Sequence, residues 1–310
     1  MKFPDFVRRN IPLAGYSTLG VGGPADYFAD IKRIETDGSE SEDYHIREAK
    51  ATFFVSVCEA HKFAKENGLD IFVLGRGSNV MFADSGFRGL VLHMGMSRVH
   101  FQNDKLIAEA GALVSDLVTL YENGCGGLEC FAGLPGTVGG AIYGNAGCFG
   151  GQFWDIVEKI MFFDGEYFRT LKKRPEMFGY RWSIFKDNPG WIIVEARLKF
   201  KLKDSGQVTK ETKRIRNLRQ SKQPKSPSVG CIFKNPAEST LSAGLLIDLC
   251  GLKGKRIGSA MISHEHANFF VNLGGAKARD FIELIKIAKS HVLKKFGILL
   301  KEEIILVGDF

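Results

Sequence analysis

Apolar positions recur with a helical period in several stretches of the chain, most clearly over residues 278–296, where one face carries apolar side chains at every third or fourth position. The same spacing predicts helices over 56–67, 113–123, 210–219 and 245–250, and it places Leu117, Leu120 and Tyr121 on the buried side of the second of these. Short apolar runs predict strands over 71–74, 106–112, 156–163, 167–171, 191–200, 260–262, 268–272 and 299–308.

Two polar stretches interrupt this pattern. Residues 35–50 are polar and charged, which predicts a solvated loop or a mobile insertion. Residues 197–225 carry eleven lysines and arginines against two acids, and the change in composition near 202–210 indicates a domain boundary. Such a charge run is usually only a solvated helix face.

Composition describes an ordinary globular protein with a basic balance. The 310 residues include 42 lysines and arginines against 35 acids, a net charge of +7, which favours anionic ligands. No run approaches the ~18 apolar residues of a membrane span, and residues 1–5 do not resemble a signal peptide. The six cysteines form no CxxC pair, which favours reduced thiols in a cytoplasmic protein, and no spacing indicates a metal site.

Two glycine-rich stretches are the first candidates for chemistry. Between residues 127 and 147, glycine recurs seven times with almost no charge. A predicted strand also runs directly into Gly75-Arg76-Gly77-Ser78-Asn79. Dense glycine permits positive φ and leaves peptide N–H groups for an anion such as a diphosphate, although a buried crossover loop fits the longer stretch equally well. Neither is a Walker loop, and residues 80–92, which predict strand, turn and strand, argue against a Rossmann domain.

Taken together, the motifs resemble those of the UDP-N-acetylenolpyruvoylglucosamine reductase (MurB) family, in the branch that lacks a tyrosine-bearing loop. The gap between Phe185 and Trp191 is too short for that loop. The matching stretches span nearly the whole chain: Tyr16-Ser17-Thr18, Gly22-Gly23-Pro24-Ala25, residues 74–79, 133–141, 145–147, 180–183, 230–236, 243–247, His266-Ala267-Asn268-Phe269 and Glu303-Ile304.

The resemblance implies an α+β fold with two parts. Residues 1–204 would form an FAD-binding module of the vanillyl-alcohol oxidase type, with two α+β subdomains that meet near 92–105, and residues 205–310 would form a substrate-binding domain. FAD would bind without a covalent link. The residues expected at the cofactor are Gly75, Arg76, Gly77, Ser78, Asn79, Gly133, Pro135, Gly136, Thr137, Gly139, Gly140, Ala141, Asn145 and Gly147.

The resemblance also implies the chemistry. NADPH would reduce the FAD, flavin N5 would give hydride to C3 of the enolpyruvyl group of UDP-N-acetylglucosamine enolpyruvate, and C2 would receive a proton. Arg181 and Glu303 would stabilise the enolate, and Cys231 would donate the proton where the family usually has a serine. Cys231 also fits a buried structural thiol, and Arg181 a surface arginine packed on aromatic rings. The residues expected at the substrate are Tyr180, Lys222, Asn235 and His266.

Two other functions would also account for the glycine-rich motifs. A flavin oxidase of the same module would need a Cys or His placed for covalent flavin attachment, and no His adjoins residues 75–79. A nucleotide-sugar-binding protein without activity would not need Arg181, Cys231 and Glu303. The sequence therefore predicts a monomeric, cytoplasmic reductase in peptidoglycan synthesis, with no nucleic-acid partner and no metal.

Overall fold

The computed structural model describes residues 4–32, 42–102, 105–121 and 125–310, and the chain divides into two compact units. The first unit comprises residues 1–10, 26–75 and 88–215, and the second comprises residues 11–25, 76–87 and 216–310. Both units mix helices and strands, so the expected α+β class is confirmed. The predicted domains 1–204 and 205–310 stay a prediction, because the second unit also takes two short segments from the N-terminal third of the chain.

Helices and strands follow one another along the described chain without the strict alternation of a Rossmann fold. The helices are α1 (Glu42–Glu66), α2 (Val114–Tyr121), α3 (Val138–Tyr143), α4 (Ile184–Asp187), α5 (Ser205–Lys222), α6 (Ala243–Leu249) and α7 (Ala278–Phe296). The strands are β1 (Val7–Pro12), β2 (Pro24–Ile31), β3 (Asp70–Leu74), β4 (Val80–Phe82), β5 (Phe87–Met94), β6 (Val99–Gln102), β7 (Lys105–Glu109), β8 (Cys125–Gly126), β9 (Gly147–Cys148), β10 (Gly151–Gln152), β11 (Val157–Phe163), β12 (Phe168–Lys172), β13 (Phe178–Gly179), β14 (Trp182–Ser183), β15 (Ile192–Leu198), β16 (Lys201–Leu202), β17 (Arg256–Ile257), β18 (Ala260–Ile262), β19 (Phe270–Asn272) and β20 (Ile305–Val307).

The first unit is built on two sheets. The larger has the order β12-β11-β15-β7-β6 with antiparallel neighbours, and the other has the order β1-β2-β5-β3, in which β3 and β5 are parallel. Helix α3 packs against β7 and β15. Alternation along β15 explains the packing, since apolar residues such as Val194 and Ala196 are buried while Glu195 and Arg197 are partly exposed. This sheet carries the glycine-rich segment that follows α2.

The second unit packs α7 and α6 around the antiparallel sheet β17-β18-β19. The apolar stripe of α7, which includes Phe281, Leu284 and Ala288, is buried as its 3.6-residue period predicts. The carboxylate of Asp84 accepts hydrogen bonds from the first two peptide N–H groups of α7, at 2.9 and 3.1 Å, and Gly297 ends the helix at φ 70°. Strand β20 pairs in parallel with β4.

Three local predictions were wrong. Residues 42–50, expected to be a loop, form the start of α1, while residues 35–41 lie outside the described residues. Leu120, expected on the buried face of α2, is exposed, whereas Leu117 is buried. The strand expected over 299–308 is confined to β20, because residues 301–303 first pair antiparallel with residues 232–234 and only then does the chain join β4.

Candidate active site

The loop that follows β3 owes its conformation to the segment Tyr16-Ser17-Thr18. Gly77 has φ 66°, and a Cβ at this position would collide with the carbonyl oxygen of Tyr16. The Thr18 N–H donates to the Gly77 carbonyl at 3.2 Å, and the Ser17 hydroxyl donates to the Val80 carbonyl at 3.0 Å. Sequence reasoning noted residues 16–18 only as a family motif, and the structure shows that they support this loop.

The same loop presents unused hydrogen-bond donors. Within the described residues, no peptide N–H of positions 76–79 donates to another protein group, and neither does the side chain of Arg76 or Ser78. Backbone amides left open at a positive-φ glycine form an anion-binding concavity. Residues 76–79 therefore fit one phosphate group of a dinucleotide.

The second glycine-rich stretch is anchored to an adjoining strand. The N–H groups of Val138 and Gly139 donate to the carbonyls of Ala112 and Ala110, each at 2.8 Å. The Thr137 hydroxyl accepts from the Gly140 N–H at 3.3 Å and caps α3. No peptide N–H of residues 136 and 137 donates to a protein acceptor in the described part of the chain. Two amides of this loop thus also remain available to an anion.

The contacts around the glycines correct one expectation. A Cβ on Gly139 would lie 3.0 Å from the Cβ of Ala110, so this position faces the protein and not an open cofactor space. A Cβ on Gly75 would collide with the Thr137 hydroxyl, so these two glycine-rich stretches touch at that point. Gly140 is exposed, and its Cβ would meet only the Thr137 hydroxyl at 3.4 Å. The remaining expected positions, Gly133, Pro135, Gly136 and Ala141, lie in the same loop and in the first turn of α3.

Arg181 lies at the tip of a tight hairpin. Strands β13 and β14 pair through Gly179 and Trp182, so Tyr180 and Arg181 form the two-residue loop between them. Arg181 has φ 54°, a left-handed conformation that few residues other than glycine, asparagine and aspartate adopt. Its Nη2 donates to the Gly147 carbonyl at 2.9 Å, and its guanidinium lies 5.1 Å from the centre of the Tyr180 ring. The hydrogen bond joins two residues that sequence reasoning had assigned to different parts of the site.

Asn145 supports this hairpin. It is almost completely buried, and its Nδ2 donates to the Gly179 carbonyl at 2.8 Å and to the Gln152 side chain at 2.9 Å. Its Oδ1 accepts from the Trp154 N–H at 3.2 Å. Because both amide hydrogens are used within the protein, the side chain holds the hairpin beside Arg181.

The backbone segments that contain Cys231 and Glu303 pair in the second unit. The Glu303 N–H donates to the carbonyl of Ile232 at 2.8 Å, directly next to Cys231, and the Asn79 side chain donates to the Glu303 carbonyl at 3.2 Å. Buried Asn268 fixes the strand from its other side, because its side chain exchanges two hydrogen bonds with the backbone of Phe233. The neighbouring Glu302 forms an ion pair with Lys289 at 2.9 Å.

The expected substrate residues of the second unit have different surroundings. Lys222 is exposed in the last turn of α5, and exposed Asn235 accepts from the Ala243 N–H at 3.0 Å at the start of α6. His266 is half-buried, and its Nδ1 accepts from the Asn268 N–H at 3.2 Å. Burial lowers the pKa of His266, so the ring is neutral near pH 7 and carries its proton on Nε2.

The described ranges contain neither a metal site nor a membrane-spanning helix. No group of three His, Cys, Asp or Glu side chains there is placed to hold a metal ion. Nor does any helix among these residues have both the length and the apolar character to cross a membrane. Burial raises the pKa of Cys130 to about 12, so this thiol beside the glycine-rich stretch is uncharged.

Known proteins are similar to this chain over nearly its whole length. Residues 222–307 match the family model described as "UDP-N-acetylenolpyruvoylglucosamine reductase, C-terminal domain", and residues 55–169 match "FAD binding domain". The UDP-N-acetylenolpyruvoylglucosamine reductase of Rubrobacter xylanophilus is 34% identical over 96% of this chain and 94% of its own. That of Lactobacillus delbrueckii is 35% identical over 98% and 96%. The crystal structure of the reductase (MurB) from Thermus caldophilus has a TM-score of 0.76 at 35% identity, covering 98% of this chain and 100% of that one.

Proposed function

This chain belongs to the UDP-N-acetylenolpyruvoylglucosamine reductase family of FAD-dependent oxidoreductases, and we propose that it uses NADPH to reduce UDP-N-acetylglucosamine enolpyruvate to UDP-N-acetylmuramate. The observation that carries the proposal is the hydrogen bond from the Glu303 N–H to the carbonyl of Ile232. It joins the backbone of Glu303 to the backbone of the residue that follows Cys231, and this supports a common site for two residues that are far apart in sequence.

When bound, FAD would supply the chemistry of hydride transfer between NADPH and C3 of the enolpyruvyl group. In the second unit, the open peptide N–H groups of residues 76–79 are donors that would hold a phosphate group of FAD. In the first unit, the open peptide N–H groups of residues 136 and 137 are donors for an anion. Arg76 is exposed in the first of these loops and adds a cation there.

Addition of hydride at C3 places negative charge on C2 and its carboxylate. Arg181 is permanently charged, and its planar guanidinium can form two parallel hydrogen bonds to a carboxylate. The hydrogen bond to Gly147 fixes the guanidinium before the charge develops, which is how preorganised donors stabilise a transition state. Glu303 would assist the enol as a hydrogen-bonding acid.

The reaction also adds a proton at C2, and Cys231 is the residue proposed to donate it. A thiol is a far better acid than the serine hydroxyl usual in the family, while its size is similar. Gly230 precedes it with φ 78°, and no atom lies within 4 Å of the position a Cβ would take there. The backbone next to the thiol is therefore open enough for a substrate to approach.

Cations are expected to bind the diphosphate of the sugar nucleotide. Exposed Lys222 stands at the end of a helix rich in lysine and arginine. The net charge of +7 also favours NADPH and the sugar nucleotide, which are both polyanions.

The proposal is tested by the product. Purified protein, NADPH and UDP-N-acetylglucosamine enolpyruvate should consume NADPH and form UDP-N-acetylmuramate in equal amounts, measured by absorbance and mass spectrometry. NADPH loss that needs oxygen but not the sugar nucleotide would identify an oxidase instead. Binding of the sugar nucleotide without turnover would identify an inactive binding protein.

A further inference from the structure

We propose that Lys186 is a positioning residue that holds Arg181 in its left-handed conformation and so places the guanidinium for the reaction. The proposal rests on the proposed function for its kinetic consequence, but the conformational claim stands on the geometry of the first unit alone. Lys186 lies outside every motif used to assign the site by sequence.

Interactions with surrounding groups are needed to keep Arg181 in its left-handed conformation. Its φ of 54° is disfavoured for an arginine by contact between Cβ and the following carbonyl oxygen. Strain of this kind persists only where surrounding groups impose it. A two-residue hairpin turn commonly places a positive φ in its loop. Because β13 and β14 are only two residues each, contacts with the surrounding protein are needed to keep this short turn in place.

Lys186 provides that hold at the backbone of Arg181. Its Nζ donates a hydrogen bond of 2.8 Å to the Arg181 carbonyl, and its ammonium group lies 5.6 Å from the centre of the Tyr143 ring. A hydrogen bond from a charged donor is about twice as strong as a neutral one. The aromatic face gives further stabilisation to the cation, and burial raises the pKa of Tyr143, so the ring stays neutral.

The residues around Lys186 fix its position. Ser183 precedes α4 and donates from its buried hydroxyl to the Tyr143 carbonyl at 2.7 Å, which joins the base of α4 to the C-terminal end of α3. Lys186 is in the last turn of α4, so its ammonium reaches back over the hairpin. The packing of α3 against α4 therefore places the Lys186 ammonium group.

Arg181 is thereby anchored at both ends. Lys186 holds its carbonyl, and the Gly147 carbonyl holds Nη2. Gly147 allows this approach because a Cβ there would lie 2.9 Å from Nη1 of Arg181. If the first anchor is lost, the turn can relax toward negative φ and carry the guanidinium away from its place, and small misplacements of this kind are costly in catalysis.

A double-mutant cycle separates positioning from general stability. Lys186→Met removes the donor and keeps the length of the side chain, Lys186→Arg keeps a charged donor, and Lys172→Met is the matched control on an exposed lysine of β12. In stopped-flow measurements on the FAD-loaded enzyme, Lys186→Met should slow flavin reoxidation by the sugar nucleotide about tenfold. Flavin reduction by NADPH should stay within about twofold, and Lys186→Arg should recover most of the loss.

The cycle with Arg181→Lys shows whether Lys186 acts through Arg181. The double variant Arg181→Lys/Lys186→Met should be no more than about twofold slower than Arg181→Lys alone, because coupled residues are not additive. A crystal structure of Lys186→Met should show Arg181 at negative φ. Full additivity, equal slowing of both half-reactions, or an unchanged φ of Arg181 in that crystal would overturn the proposal.

Failure of the proposed function is distinguishable from failure of this inference. If the wild-type protein reduces no enolpyruvyl sugar, the proposed function is wrong, and the φ of Arg181 in Lys186→Met still decides whether Lys186 holds it. If the wild type is active and Lys186→Met behaves like Lys172→Met, only the positioning role is wrong.

Discussion

The side-chain amide of Asn79 donates a hydrogen bond of 3.2 Å to the backbone carbonyl of Glu303. The Ile305 N–H returns a hydrogen bond of 3.0 Å to the Asn79 carbonyl. The sequence predicts Asn79 at the cofactor and Glu303 as a residue that stabilises the enolate, and both lie in the second compact unit. The glycine-rich loop after β3 and the terminal segment that contains Glu303 are therefore held together by the protein itself.

The two neighbouring glutamates give the first prediction. Glu303→Gln should lower turnover by about 10²-fold, because a neutral amide is a poor substitute for a carboxylic acid that assists an enol. Glu302→Gln is the matched control: it loses an ion pair with Lys289, which costs about 1 kcal/mol or less, and should keep its activity. Steady-state rates and thermal unfolding of both variants test this. Similar loss of activity in both would remove Glu303 from its proposed role.

Gly77 gives a prediction about cofactor retention. Gly77→Ala must accept both a positive φ and a collision with the Tyr16 carbonyl, so the loop should deform and the purified protein should contain little FAD. Gly68→Ala is the control, since Gly68 has a similar φ of 61° with no atom within 4 Å, and it should cost only about 1 kcal/mol. The flavin-to-protein absorbance ratio is the measurement. A yellow Gly77→Ala protein with full flavin content would show that this loop does not hold the cofactor.

Cys231 gives a prediction about the proton at C2. Cys231→Ser should remain active, since a hydroxyl replaces a thiol of similar shape, whereas Cys231→Ala should still accept hydride from NADPH but form product slowly. Reactions in D₂O followed by mass spectrometry report deuterium at C2. Cys250→Ala, another half-buried thiol of the second unit, is the control and should behave as wild type. Wild-type rates and normal deuterium incorporation in Cys231→Ala would reduce Cys231 to a packing residue.

His266 gives a prediction about pH. Burial lowers the pKa of His266 in the folded protein, so the unfolded chain binds the proton first as pH falls. The stability that the neutral ring contributes is complete above about pH 6.5, the ordinary value for histidine, and is lost as pH falls through the lower folded value. His266→Gln should therefore flatten the fall in melting temperature between neutral and mildly acidic pH, while His291→Gln on exposed His291 should not. Equal acid sensitivity in wild type and His266→Gln would contradict this assignment.

Hydrophobic periodicity was enough to predict those helices and strands whose conformation depends mainly on their own residues. Helix α7 was predicted with the bounds that the structure shows, because its apolar stripe is unbroken over five turns and Gly297 follows it. The beginning of α1 was missed, because residues 42–50 are polar and their helical state depends on continuation from the apolar half of the same helix. The strand over 299–308 was too long, because its apolar run serves two different pairings in succession.

The site was predictable as a set of residue types but not as a set of contacts. Glycine spacing indicated the two loops, yet whether Gly139 faces a cofactor or Ala110 depends on the register of α3 against β7, which no local pattern contains. Asn145 and Lys186 act through backbone carbonyls 34 and five positions away. Such bonds arise only when the hairpins are packed, so the sequence offered no signal for Lys186.

The central claim is most directly tested by one anaerobic spectral titration of the purified protein. The protein should show the visible band of oxidised FAD, its bleaching by stoichiometric NADPH, and its return when UDP-N-acetylglucosamine enolpyruvate is added in the absence of oxygen. Bleaching by NADPH without any return on addition of the sugar nucleotide would contradict it.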